Sequence, residues 1–178
     1  MWRLIGITPE SLVANEHSRI IEFLNGQIDY FHIRKPQISE EEMIEYIKKF
    51  PIEIREKLSL HDFHNLAFEF GIGGIHLNSR NRVINRDFIK KRISCSCHSL
   101  DEIKNKIKFC DYLFLSPIYN SISKKGHKSQ FEIQDLKKSN LINDKIIALG
   151  GVTIEKFEEL KEIGFGGAAM LGKLWKNK

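Results

Sequence analysis

The stretch IIALGGVTIEKFEELKEIGFGGAAMLG, residues 146–172, contains one complete succession of strand, turn, helix and strand. Ile146–Leu149 is an apolar run too short for a helix, and Gly150-Gly151 breaks it. Thr153 has the residue type that opens helices, a helix-period segment follows, and Gly164 has the type that ends them. Ala168–Leu171 then resumes the strand pattern ahead of Gly172 and a short terminal helix over Lys173–Lys178. Two strands joined through a helix in this way lie parallel in one sheet.

Working outward, the same alternation recurs along the chain. Arg3–Ile7, Tyr30–Arg34, Leu58–Asp62, Gly74–Leu77, Ile93–Cys97 and Tyr112–Ser116 are strand-length apolar runs, each followed by a turn and a helical stretch. Ser39 with Glu42 makes a capping box that opens a helix over Glu40–Phe50, with Pro51 closing it, and Ser99 with Glu102 repeats the device for a helix reaching Ile107. Asn15 opens a further segment that Gly26 ends. The weakest units are the fourth, with only Arg86–Arg92, and the sixth, where Phe131–Lys138 follows a long polar loop.

Eight such units leave a closed (β/α)8 barrel or an open doubly wound sheet. An open sheet of the dinucleotide-binding type places G-x-G-x-x-G after its first strand, and Gly6-Ile7-Thr8-Pro9 has nothing like it. The 178 residues allow about 22 per unit, fewer than in most barrels. The predicted fold is therefore α/β, a compact (β/α)8 TIM barrel with shortened helices and loops, forming a single domain over residues 1–178.

Composition narrows the function classes. With 42% hydrophobic and 29% charged residues the chain is globular rather than disordered. The longest uncharged stretch, Tyr112 to Ser123, contains Pro, Asn and Ser, which excludes a transmembrane helix. The N-terminus reads as a first strand rather than a signal peptide. Three cysteines, Cys95, Cys97 and Cys110, suit small apolar packing in a reducing cytoplasm. The net charge of +5 comes from lysines that are mostly scattered among acidic residues, as in Lys156-Phe157-Glu158, so a local anion site is favoured over a nucleic-acid footprint. Neither nucleic acid nor membrane is expected as a partner, and a homodimer is left open.

In a barrel the chemistry lies where strands end. Strand two ends in His32-Ile33-Arg34-Lys35, strand three in His61-Asp62, strand four in His76-Leu77 before Asn78-Ser79-Arg80-Asn81, and strand five in Ser96-Cys97-His98. Period-two alternation puts His32 with Arg34, and Ser96 with His98, on one face, while Phe31, Ile33, Cys95 and Cys97 face the helices. Single buried histidines are more often core residues than catalysts. Gly150-Gly151 and Gly172 match the phosphate site of barrels, with ordinary turn glycines as the alternative. Asp62 is either a magnesium ligand or the cap of a helix beginning at Phe63. His61 and His64, with the other strand-end histidines, raise zinc, but the i,i+3 spacing across a strand-helix corner gives no defensible ligand geometry.

These strand ends resemble the thiamine phosphate synthase and thiazole tautomerase superfamily. The resemblance is carried by Tyr30-Phe31-His32-Ile33-Arg34, by Asp62 with Gly73-Gly74-Ile75-His76-Leu77, by Cys95-Ser96-Cys97-His98-Ser99, by Ser116-Pro117-Ile118-Tyr119 with Ser121, Ser123, Lys124 and Lys125, and by Ala148-Leu149-Gly150-Gly151-Val152. It implies a transferase joining hydroxymethylpyrimidine diphosphate to thiazole phosphate with release of pyrophosphate. Arg34, His98 and Lys124 would then be catalytic. His32, Lys35, Ser96, Ser121, Ser123, Gly150, Gly151 and Gly172 would bind substrate, and Asp62 with Asn81 would hold magnesium. Arg34, Lys124 and the ion would take the pyrophosphate, Gly151 and the Gly172 amides the thiazole phosphate, and Ser96 and His98 the pyrimidine.

Several positions depart from the synthase pattern. His32 replaces a Gln, His61 replaces an Asn, the family lysine falls on Pro36 with Lys35 one place early, and the second metal aspartate becomes Asn81. The tautomerase branch shares His-Ile-Arg on strand two, yet its acting histidine aligns with Pro117 here. A tautomerase, and a barrel that binds thiazole or thiamine phosphate without turnover, are the alternatives.

Overall fold

The computed structural model describes residues 2–82, 90–120 and 129–175. Its strands are β1 (Arg3–Ile7), β2 (Tyr30–Ile33), β3 (Leu58–Leu60), β4 (Gly74–Leu77), β5 (Arg92–Cys97), β6 (Tyr112–Leu115), β7 (Ile146–Leu149) and β8 (Gly167–Met170). They follow one another in chain order around a closed barrel, as the alternation predicts. The helices are α1 (Glu16–Asn25), α2 (Glu40–Lys48), α3 (Ile52–Arg55), α4 (Leu66–Glu69), α5 (Leu100–Lys106), α6 (Ile133–Lys138), α7 (Phe157–Ile163) and α8 (Gly172–Trp175). Several span only a turn or two, which is how eight units fit this length. Residues 83–89, where most of the fourth predicted helix falls, lie outside the described residues.

Local signals explain most element boundaries. Glu42 N donates to Ser39 Oγ at 3.2 Å while Ser39 N donates to the Glu42 carboxylate at 2.8 Å, the full capping box at the start of α2. That helix stops at Lys48, and Pro51 opens α3 rather than closing α2, because its missing N–H costs nothing at a helix start. Asn15 precedes α1 in the left-handed region with no side-chain cap, its carbonyl accepting from Arg19 N instead. Thr153 likewise makes no side-chain cap, and a 3₁₀ turn over Ile154–Lys156 leads into α7.

By contact density the chain forms two units, Gly6–Ile93 and the combination of Met1–Ile5 with Ser94–Lys178. In the first, β2 registers His32 beside Ser59 and Ile33 beside Leu60 on β3, which in turn sets Leu60 beside Ile75 on β4. Phe31 is fully buried and stacks on Phe23 of α1, so odd-numbered β2 residues face the helices and His32 faces inward. In the second, β5 to β8 pair through Ser96 with Phe114, Phe114 with Ile147, and Ala148 with Ala168. Cys95, Cys97 and Cys110 are free and buried, and burial pushes the Cys97 and Cys110 thiols up to about 12, so they pack as small apolar groups. Among the described residues no helix is long and apolar enough to cross a membrane.

Candidate active site

In the Gly6–Ile93 unit, the turn after β1 and the end of β2 are sewn together through Thr8. Arg34 N donates to Thr8 Oγ1 at 2.8 Å, and Thr8 Oγ1 donates to the Arg34 carbonyl at 3.2 Å. This fixes the backbone at the end of β2 and leaves the Arg34 side chain 30% exposed, paired with Glu10 at 2.6 Å. The guanidinium is thus positioned and reachable, with more donors than one carboxylate can use.

Lys35, expected to bind substrate, does something else. Its ammonium is fully buried and donates to the Pro9 carbonyl at 2.9 Å, the Ser11 carbonyl at 2.8 Å and Glu16 Oε2 at 2.8 Å. Three protons meet three acceptors, so none is left for a ligand. Glu16 also accepts from the Tyr46 hydroxyl of α2, and burial followed by the Glu16 charge raises the Tyr46 pKa. The sequence reading had put Lys35 with the substrate; its length instead carries the charge to Glu16, a carboxylate that reading had not paired with it.

Asp62 and Asn81 are brought together as expected, but not as two ion ligands. Asn81 Nδ2 donates to Asp62 Oδ1 at 2.9 Å, and the Arg80 guanidinium takes both carboxylate oxygens at 3.0 Å each. Asp62 does not cap a helix at Phe63 either. Phe63 sits at φ 54, which turns the chain sharply after β3, and α4 begins only at Leu66. An exposed-side guanidinium fork therefore fills the carboxylate where a magnesium ion would need open oxygen ligands. As arranged, this donor set does not fit the ion.

Beside it, three histidines meet that spacing did not link. His32 Nδ1 lies 2.9 Å from His61 Nε2, the His61 and His76 rings stack at 4.1 Å between centroids, and the His32 ring stands edge-on to both at 5.1 Å. All three are buried. Desolvation first, then the His76 and Arg92 charges, holds His32 well below the usual imidazole range. Desolvation and then His76, His32, Arg34 and Arg80 do the same for His61. His64 is not in this group. The missed signal was register: extending β3 and β4 one residue beyond Leu60 and Ile75 sets His61 beside His76.

In the unit containing Ser94–Lys178, His98 is exposed and its Nδ1–H donates to the Ser116 carbonyl at 2.9 Å. With Nδ1–H given to that carbonyl, Nε2 is the ring nitrogen left for a ligand. Ser96 is half-buried two residues before it, and its carbonyl accepts from Lys106 at 3.0 Å. Gly150 and Gly151 have φ 92 and φ 64. A Cβ on Gly151 would stand 2.4 Å from the Asn120 carbonyl oxygen, so the loop after β6 passes where a side chain would be. Tyr119 anchors that loop by donating to Glu159 of α7 at 2.8 Å. Gly172 opens α8. Ser121, Ser123 and Lys124 lie outside the described residues.

Fold and site together define a (β/α)8 barrel protein of the kind that gathers ionisable and glycine residues at the ends of its parallel strands. The family model described as thiamine monophosphate synthase matches residues 4–174. A thiamine phosphate pyrophosphorylase from Bacteroides thetaiotaomicron superposes with TM-score 0.86 at 34% identity, over 97% of this chain and 84% of that one. A Pyrococcus furiosus thiamine phosphate pyrophosphorylase, at TM-score 0.76 and 20% identity, shares the fold over 95% of this chain and 85% of that one. The thiamine-phosphate synthase of Flavobacterium johnsoniae is 28% identical over 94% of this chain and 84% of that protein. For the Limosilactobacillus reuteri synthase the match, at 23% identity, covers 68% of this chain and spans 60% of that protein's length. The chain belongs to the thiamine monophosphate synthase family.

Proposed function

We propose that the protein is a transferase that joins hydroxymethylpyrimidine diphosphate to thiazole phosphate, releasing pyrophosphate. Family membership over residues 4–174 supports this reading, and the observation that carries it is the reachable guanidinium of Arg34 at the end of β2. The reaction breaks the bond between the pyrimidine methylene carbon and the diphosphate oxygen. The electron pair leaves with pyrophosphate, and the thiazole nitrogen supplies the pair for the new carbon–nitrogen bond. No strong base is required; neutralising the departing charge and aligning the two partners supply most of the rate.

In this reading Arg34 and Lys124 receive the pyrophosphate, and Glu10 must release Arg34 as the anion arrives. Ser121 and Ser123 are further substrate-binding residues, Ser96 and His98 hold the pyrimidine, and Gly150, Gly151 and Gly172 present backbone to the thiazole phosphate. Magnesium would have to displace Arg80 from Asp62 to be held here. The same reading takes residues 1–178 as one domain working on small phosphorylated molecules in the cytoplasm, without nucleic acid or membrane, and accommodates a homodimer.

The test supplies both phosphorylated substrates, with and without magnesium, and measures thiamine phosphate. Product formation that depends on both substrates is the expected result. Absence of product at enzyme concentrations equal to substrate would overturn the synthase reading. The engagement of Asp62 by Arg80 favours a second reading, thiazole-phosphate tautomerisation with His98 as proton carrier, which a thiazole carboxylate phosphate offered alone would reveal.

A further inference from the structure

We propose that His32, His61 and His76 bind one divalent transition-metal ion of the zinc or cobalt type, as three nitrogen ligands with the fourth position taken by an anion. The three side chains come from consecutive strands or their ends, and a ligand nitrogen on each lies within 4.8 Å of those on the others. Metal bonds of about 2.0–2.1 Å place tetrahedral nitrogens roughly 3.3 Å apart, so side-chain rotation with little backbone movement closes the set. The His32 to His61 contact is already at 2.9 Å. The ion replaces the proton those two rings share, and the stacked His76 ring must tilt its nitrogen toward them.

The donor chemistry selects the class of metal. Three imidazoles and no carboxylate suit zinc, cobalt, nickel or copper and disfavour magnesium and calcium, which require oxygen ligands. All three rings are buried, and His32 and His61 are held in the neutral, lone-pair form that a metal needs. Arg34, Arg80 and Arg92 are the cations whose charge reaches these rings. An added divalent charge among them calls for an anionic fourth ligand such as hydroxide or a phosphate oxygen. The site is distinct from Asp62, whose partners are Arg80 and Asn81. It stands whether or not the protein makes thiamine phosphate, since its readout is metal binding.

The experiment titrates the full chain with cobalt(II) and reads the visible bands of tetrahedral cobalt, with elemental analysis for stoichiometry. One equivalent should bind, zinc should displace it, and inorganic phosphate should tighten it several-fold. His32→Gln and His61→Asn should each weaken binding by more than the roughly 10–100-fold that losing a mere outer partner costs. X-ray absorption on the unaltered zinc-loaded protein should show three imidazoles, a measurement that does not depend on any variant folding. No saturable equivalent, fewer than three imidazoles, or undiminished binding in a folded H32Q/H61N variant would overturn the site. Indifference to phosphate would overturn its anionic fourth ligand.

Discussion

Lys35 Nζ lies 2.8 Å from Glu16 Oε2 with the lysine side chain 0% and the glutamate 1% exposed, a buried ion pair tying the segment after β2 to the start of α1. Two carbonyls and the Tyr46 hydroxyl complete its hydrogen bonding. Removing one partner leaves the other charge buried and unpaired. Lys35→Met should therefore lower unfolding stability by about 3–5 kcal/mol in urea titration. The paired variant Lys35→Met with Glu16→Gln should recover part of that loss. If K35M instead kept its stability and lost substrate affinity, Lys35 would be a binding residue after all.

Arg34→Ala should separate the two halves of the proposed site. Loss of a charge-assisted hydrogen bond, worth about 1.5–3 kcal/mol, predicts pyrophosphate binding weaker by roughly 10-fold or more in calorimetry. Thiazole phosphate binding should change far less. Equal losses for the two ligands would count against placing Arg34 on the pyrophosphate.

Arg80 and a divalent cation compete for the same carboxylate. Arg80→Ala should raise manganese affinity at Asp62 several-fold, the scale of an exposed ion pair worth about 1 kcal/mol, read by the electron paramagnetic resonance of free manganese. Asp62→Asn in the same background should abolish the gain. Unchanged manganese binding in R80A would show that the fork does not guard the site.

The buried histidines make stability acid-sensitive. His32 and His61 have folded values well below the 6.5 of an exposed imidazole, so below that pH the unfolded chain binds more protons than the folded one. Stability is then fully present above about pH 6.5 and falls as the pH drops, by about 1.4 kcal/mol per unit for each such histidine. H32Q/H61N should flatten the slope of unfolding free energy between about pH 6.5 and 5. An equally steep slope in that variant would assign the acid sensitivity to other groups.

Gly151 tests the loop geometry. At φ 64, with the Asn120 carbonyl oxygen 2.4 Å from any added Cβ, Gly151→Ala should cost about 1–3 kcal/mol from backbone conformation alone, with the contact adding to it. Thermal unfolding measures this, and a neutral result would show that the loop after β6 moves aside freely.

Much of the fold was legible because it rests on patterns local in sequence. The bounds of β1, β4 and β7 follow directly from their apolar runs, and α2 begins where Ser39 and Glu42 cap it. Boundaries slipped where two local signals compete. Pro51 could close one helix or open another, and here it opens α3. The positive φ at Phe63, unusual for a bulky side chain, has no sequence signature and displaced the start of α4 to Leu66.

By itself the sequence determined the alternation of strands and helices, the barrel it closes into, and which residues end each strand. Strand and helix periods act over a few residues, so composition and spacing are enough to set them. Only the tertiary structure decided the partners of those residues: Glu16 for Lys35, Arg80 for Asp62, and the meeting of His32, His61 and His76. Those pairings depend on strand register and on how far flexible side chains reach between elements 15 to 44 positions apart in the sequence, which local spacing does not encode.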